Sequence, residues 1–159
     1  MTPAVIHIAL TNEQTTLSLD RRRLRRAMRT VLKDAGISQA EISLAVVDDP
    51  TIHRLNRQYL KHDYATDVLS FVLEQSDDRL VGEVIVSADT AKAAAPAYGW
   101  AAENELLLYV VHGTLHLVGQ EDASRAQRAE MRRREAIYLA RLGLEPEPRP
   151  AAGRQRRAR

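Results

Sequence analysis

The stretch HGTLHLVGQED, residues 112–122, sets two histidines four apart, then a glycine and two acids. On a helix, positions four apart leave the same face one turn from each other, so the rings of His112 and His116 can reach a single ion. The chain contains no cysteine. Any transition metal must therefore be held by imidazole nitrogen and carboxylate oxygen. A histidine pair alone fits an inert, hydrogen-bonded core as well as a metal site, so the flanking residues decide between them.

Gly119 stands three residues after His116, where a helix must stop and the chain turn back. Asp122 stands three residues further on. The full spacing, His-x-x-x-His-x-x-Gly-x-x-Asp, matches the metzincin ligand layout with aspartate in the last place. Glu121 is the competing acid but lies one residue off that register, so the expected ligands are His112, His116 and Asp122. Three protein ligands leave one position for water or substrate, the pattern of catalytic rather than structural zinc, and water held there turns acidic near neutral pH. In metalloproteases of the His-Glu-x-x-His type, the residue after the first histidine is a glutamate acting as general base. Here it is Gly113, so peptide hydrolysis lacks its usual machinery. Glu105, seven residues before His112, reads either as a partner that fixes a histidine tautomer or as a surface acid.

These residues need a scaffold. AVIHIAL alternates and is β-branched, so it reads as a strand. Asp20 caps a helix with Leu24, Met28, Val31 and Leu32 on its apolar side, ending at Gly36. ISLAVVDD is a second strand, followed by a helix with Asp49 as N-cap and Pro50 at its first position. TDVLSFVL and LVGEVIVS, joined by a short polar link, predict an antiparallel hairpin. SADTAKAAAPAY starts at a Ser/Asp cap and is ended or kinked by Pro96. AAENELLLYVVHGTLHLVG is apolar nearly all round, which marks a helix buried in the core. SRAQRAEMRRREAIYLARLG closes the fold from a cap at Ser124. The expectation is an α+β single domain: a mixed four-stranded sheet, about five helices, and a zincin-like metal site on the buried helix.

With 159 residues, 45% of them hydrophobic and 28% charged, the composition is that of one globular domain. No stretch approaches the roughly 18 apolar residues of a membrane span, and the N-terminus lacks a signal-peptide pattern, so a soluble intracellular protein is the default expectation. The net charge of +2 hides arginine clusters in DRRRLRRAMR, MRRRE and GRQRRAR. Each suits a phosphate-bearing partner or is simply a solvated helix face. Residues 1–142 are expected to form the domain, and the Pro-rich, basic stretch 143–159 a disordered tail.

HGTLHLVG resembles the histidine motif of the YbeY family of bacterial rRNA maturation endoribonucleases. LNRQYLKHDYATDVLSF resembles that family's block Leu-Asn-x-x-Tyr-Arg-x-x-Asp-x-Pro-Thr-Asp-Val-Leu-Ser-Phe, and GEVIVS its Gly-Asp-Ile-x-Ile-Ser strand. The blocks fall in family order across about residues 40–142. The resemblance implies a single-strand-specific, zinc-dependent endoribonuclease acting in small-subunit rRNA 3′-end maturation and ribosome quality control. It also implies one zinc ion per chain, single-stranded ribosomal RNA as substrate, and contacts with the ribosome or small-subunit proteins. Thr66, Asp67 and Ser70 align with residues lining the family's cleft. Three positions depart from the pattern: Asp122 replaces the family's third histidine, Leu60 its arginine and Ala65 its proline. Lys61 or Arg57 stands near enough in sequence to supply the cation lost at Leu60. Glu83 reads as facing the cleft or, by strand alternation, the surface. His7, His53 and His62 show no partner pattern. The alternative readings are a ribosome-assembly binding module with a structural metal and, from ligand spacing alone, a metallopeptidase.

Overall fold

The computed structural model describes residues 3–145. Among these, four strands form one sheet: β1 (Val5–Glu13), β2 (Gln39–Val47), β3 (Val68–Gln75) and β4 (Arg79–Ser87), in the spatial order β1-β2-β4-β3. β1, β2 and β4 run parallel, and β3 pairs antiparallel with β4 at the edge. The helices are α1 (Arg21–Asp34), α2 (Asp49–Leu60), α3 (Ala88–Ala94), α4 (Ala102–Leu117) and α5 (Arg125–Arg141), with one 3₁₀ turn at Ala95–Tyr98. The expected mixed sheet, hairpin and helix count are all present. None of the described helices is long and apolar enough to cross a membrane.

Local chemistry sets the element ends. The side chain of Asp20 accepts a hydrogen bond from Arg23 N–H at the start of α1. Leu24, Ala27, Met28, Val31 and Leu32, at helical spacing, then bury one face. Arginines on the flank of α1 reach back to the edge strand: Arg25 donates to the carbonyl of Ile8 and Arg29 to that of Ile6. Pro96 ends α3, as expected, and starts the 3₁₀ turn. Ser124 caps α5 in a reciprocal pair with Gln127.

The cap of α2 differs from expectation. It is Asp48, not Asp49, whose side chain accepts from Thr51 N–H, at 2.9 Å. Hydrogen bonds from the Thr51 hydroxyl and from its backbone N–H hold the Asp48 carboxyl below the usual carboxylate range. The carboxylate of Asp49 is engaged elsewhere, accepting from the hydroxyls of Ser87 and Thr90 at 2.5 and 2.7 Å. Asp89 in turn accepts from Asp49 N–H, so the starts of α2 and α3 are stitched together across the end of the sheet.

The sheet buries its two faces unequally. On one side α1 and α4 build the main core, and every residue of α4 from Glu105 to Leu117 is buried. On the other side α2 covers a smaller cluster of Val47, Ile52, Leu69 and Ile85. The chain stays packed slightly past the expected boundary at 143, because Leu142 and Leu144 rest on the core and Leu144 N–H donates to Leu139. Residues 146–159, most of the expected tail, lie outside the described residues.

α4 lies so close to the hairpin that one position admits no side chain. A Cβ on Gly113 would sit 2.6 Å from Val84 and 3.0 Å from both Ser70 and Val68. The hydroxyl of Ser70 donates to the Gly113 carbonyl at 3.0 Å, fastening helix to strand. Gly113→Ala should therefore destabilise the fold by about 1–3 kcal/mol, the range for overpacking a tight interior, although alanine is the better helix former. Urea denaturation measures it, and an unchanged midpoint would contradict this close approach.

Candidate metal centre

His112 and His116 occupy the last turns of α4, and their side chains leave the same flank. Their rings lie 4.7 Å apart at 78° to each other, with Nε2 atoms 3.1 Å apart. After Leu117 the helix ends in a left-handed turn at Gly119, φ +98°, with Gln120 N–H donating to Leu115 and Gly119 N–H to His116. This is a Schellman ending. A Cβ on Gly119 would meet nothing, so the requirement here is conformational, the reverse of Gly113. The turn brings Asp122 back over the histidines, its Oδ2 at 3.5 Å from His112 Nε2 and 3.3 Å from His116 Nε2.

These three atoms can hold a metal ion, and no other group of three such residues among those described converges in this way. Four tetrahedral ligands at about 2.0–2.1 Å from an ion stand about 3.3 Å from one another, and the three separations bracket that value. The donor chemistry agrees. His112 Nδ1 lies 2.5 Å from Glu135 Oε2, and a carboxylate there calls for a proton on Nδ1. That tautomer leaves Nε2 as a bare lone pair facing another imidazole nitrogen and a carboxylate oxygen. All three groups are buried, at 0%, 6% and 8% exposure, so no bulk water separates them. A cation fits that arrangement. His116 and Asp122 keep a slight exposure, and His112 none.

Glu135 is the residue that sequence reasoning missed. It comes from α5, 2% exposed, and its second oxygen accepts from Arg132 at 2.7 Å. The signal was present: Met131, Glu135, Tyr138 and Leu139 form the buried face of α5. An acid on an apolar stripe needs a partner inside. Glu105 fills neither role proposed for it, because it is buried and accepts from Trp100 Nε1 at 2.9 Å.

The remaining candidates are not among the three converging ligands. Thr66 and Asp67 are buried at the entry to β3, immediately before Val68, on which Gly113 rests. Ser70 is buried and engaged with the helix backbone. Lys61 is exposed at the end of α2 in a left-handed conformation, φ 58°. Leu60 packs into the cluster beneath α2, and Arg57 lies 3.9 Å from Asp63. Glu83 and His7 line a depression of about 320 Å³ on the sheet face away from α4. His53 pairs with Asp63 at 2.8 Å, and His62 stacks on Tyr64.

Comparison with known proteins gives a consistent picture. Residues 9–143 match the family model described as endoribonuclease YbeY. The chain is 44% identical to an endoribonuclease YbeY from Rhodopirellula baltica over 69% of its length, a match spanning 58% of that protein. It is 39% identical to the one from Salinibacter ruber, covering 83% of this chain and 89% of that one. The solution structure of a Thermotoga maritima protein superposes with a TM-score of 0.58 at 22% identity, over 86% of this chain and 92% of the other, and so shares the fold.

Two measurements test the centre. Metal analysis of purified protein should find about one ion per chain in the wild type and almost none in His116→Ala. Full retention by Asp122→Ala would remove that residue from the ligand set. Glu135→Gln should weaken metal affinity about 10- to 100-fold, the usual effect of losing the group that orients a ligating histidine. Competition with a chromophoric chelator reads this, and unchanged affinity would show that Glu135 does not position His112.

Proposed function

The chain belongs to the endoribonuclease YbeY family, and from that premise we propose that it cuts single-stranded RNA using a zinc ion held by His112, His116 and Asp122. The observation that carries this reading is the trio of buried donor atoms 3.1–3.5 Å apart. Two imidazoles and one carboxylate form a donor set that suits zinc, whereas magnesium and calcium prefer oxygen alone. When bound, zinc supplies Lewis acidity toward a phosphoryl oxygen and toward water.

The rest is done by the chain itself. Glu135 keeps the His112 proton on Nδ1 and so directs Nε2 toward the ion, while Arg132 balances the charge of that carboxylate. Asp122 places an anion where the family block has a third histidine, which moderates the acidity the ion imparts to water. Gly113 supplies no base, and packing forbids one there. RNA tolerates this better than a peptide does, because its 2′-hydroxyl is an internal nucleophile. Lys61, with Thr66 and Asp67, is proposed to position the RNA backbone. Lysine in a left-handed conformation costs about 1 kcal/mol, a strain compatible with a functional position. The family's setting, maturation of the small-subunit rRNA 3′ end and ribosome quality control in the cytoplasm with small-subunit proteins as partners, is the setting proposed here.

One observation favours a second reading, a ribosome-assembly module with a structural metal. Leu60, in the place of the family arginine, is tucked into an apolar cluster and offers the phosphate no charge. Incubation of pure protein with single-stranded RNA separates the two. Cleavage should be lost with a chelator and return on adding zinc. Equal cleavage with and without the chelator, matched by His116→Ala, would mark a contaminating nuclease and leave the binding role.

A further inference from the structure

The two long arginine-rich helices treat their charges in opposite ways. On α5, Arg133 and Arg134 bond to Glu130 at 2.6 and 2.8 Å, Arg132 to Glu135 and Arg141 to Asp34. Arg133 and Arg134 hold the Glu130 carboxyl down to about 2, so it stays ionised and the run is neutralised locally. On α1, Arg22, Arg26, Arg29 and Lys33 fall at i, i+4, i+7 and i+11, a single stripe about 16 Å long. Together with Thr30 they line a shallow depression of about 300 Å³. Among the described residues, none of the four has a carboxylate within ion-pair distance. Arg29 is tied to the Ile6 carbonyl, whereas Arg22, Arg26 and Lys33 are exposed.

We propose that this stripe is a docking surface for the RNA phosphate backbone, separate from the metal centre, which contributes no residue to it. The proposal rests on the nuclease reading for its ligand. Like charges held in line at roughly one per helical turn raise a local positive potential, and a polyanion relieves it by releasing its own counterions. A lipid surface would need apolar side chains beside the cations. The apolar residues of α1, Leu24, Met28, Val31 and Leu32, are all committed to the core. The stripe thus offers charge without an insertion face, and that suits a phosphate backbone read without regard to base sequence.

The test is the triple variant R22A/R26A/K33A in the full chain, with Arg29 spared because it braces β1. Affinity for a labelled single-stranded RNA is measured across a salt series, alongside metal content and thermal unfolding. Three lost phosphate contacts, at about 0.7 each, should lower the slope of log K against log salt by about 2 and weaken binding about 100-fold near 0.1 M salt. Metal content and unfolding should match wild type. Unaltered affinity and slope in a variant that still cleaves RNA would overturn the docking surface and leave the nuclease intact. A wild type that binds through the stripe yet never cleaves would uphold the surface and overturn the nuclease. Binding to phosphatidylglycerol vesicles, lost in the variant while RNA binding is kept, would overturn the proposal in favour of a membrane.

Discussion

Three atoms that can each offer an electron pair, aimed at one point in a dry interior, repel one another unless a cation or a shared proton stands among them. In this protein the donors are two imidazole nitrogens and a carboxylate oxygen, brought to 3.1–3.5 Å by one helix and one turn. The Glu135 carboxylate enforces the arrangement by claiming the proton at the far side of His112. Low polarity strengthens every electrostatic interaction at such a place, the repulsions as well as the attractions. The rest of the fold can be read as what it takes to hold those three atoms still.

Holding them still requires α4 to be buried on all sides, with the sheet beneath it and α1, α3 and α5 around it. Two glycines make this possible for opposite reasons. Gly113 is small because Val84, Val68 and Ser70 leave no room above the hairpin. Gly119 has ample room and is needed for its left-handed backbone. The first lets the helix settle on the strands; the second lets the chain come back with Asp122. The same packing that admits only glycine at 113 removes the carboxylate a peptidase would use there, so scaffold geometry and reaction class are linked at one residue.

Periodicity and spacing carried much of this into view from the sequence. The alternating strands, the capped amphipathic helix α1 and the all-apolar α4 are one-dimensional patterns with direct physical causes, and they appear where expected. The histidine pair and glycine are legible for the same reason, since their relation is local. What stayed hidden is non-local. Which of Asp48 and Asp49 caps α2 depends on hydroxyls of Ser87 and Thr90, some forty residues on. Glu135 is 23 residues from His112 and gives itself away only as an acid on an apolar face. Glu105, seven residues before His112, accepts from Trp100, a neighbour set by the loop before α4. Spacing along one helix is readable; the angle at which two helices meet is not.

The arginines that reach from α1 to the carbonyls of Ile6 and Ile8 have an effect beyond bracing. β1 is an outer strand, and a bare outer strand is a template on which a second molecule can extend the sheet. Guanidinium groups occupy two of its free acceptors and put charge where an incoming strand would lie. On the opposite margin, the register of β3 slips between Val72 and Glu74, and the exposed Leu73 sits in that irregularity. Both margins are thereby made poorer templates for an added strand.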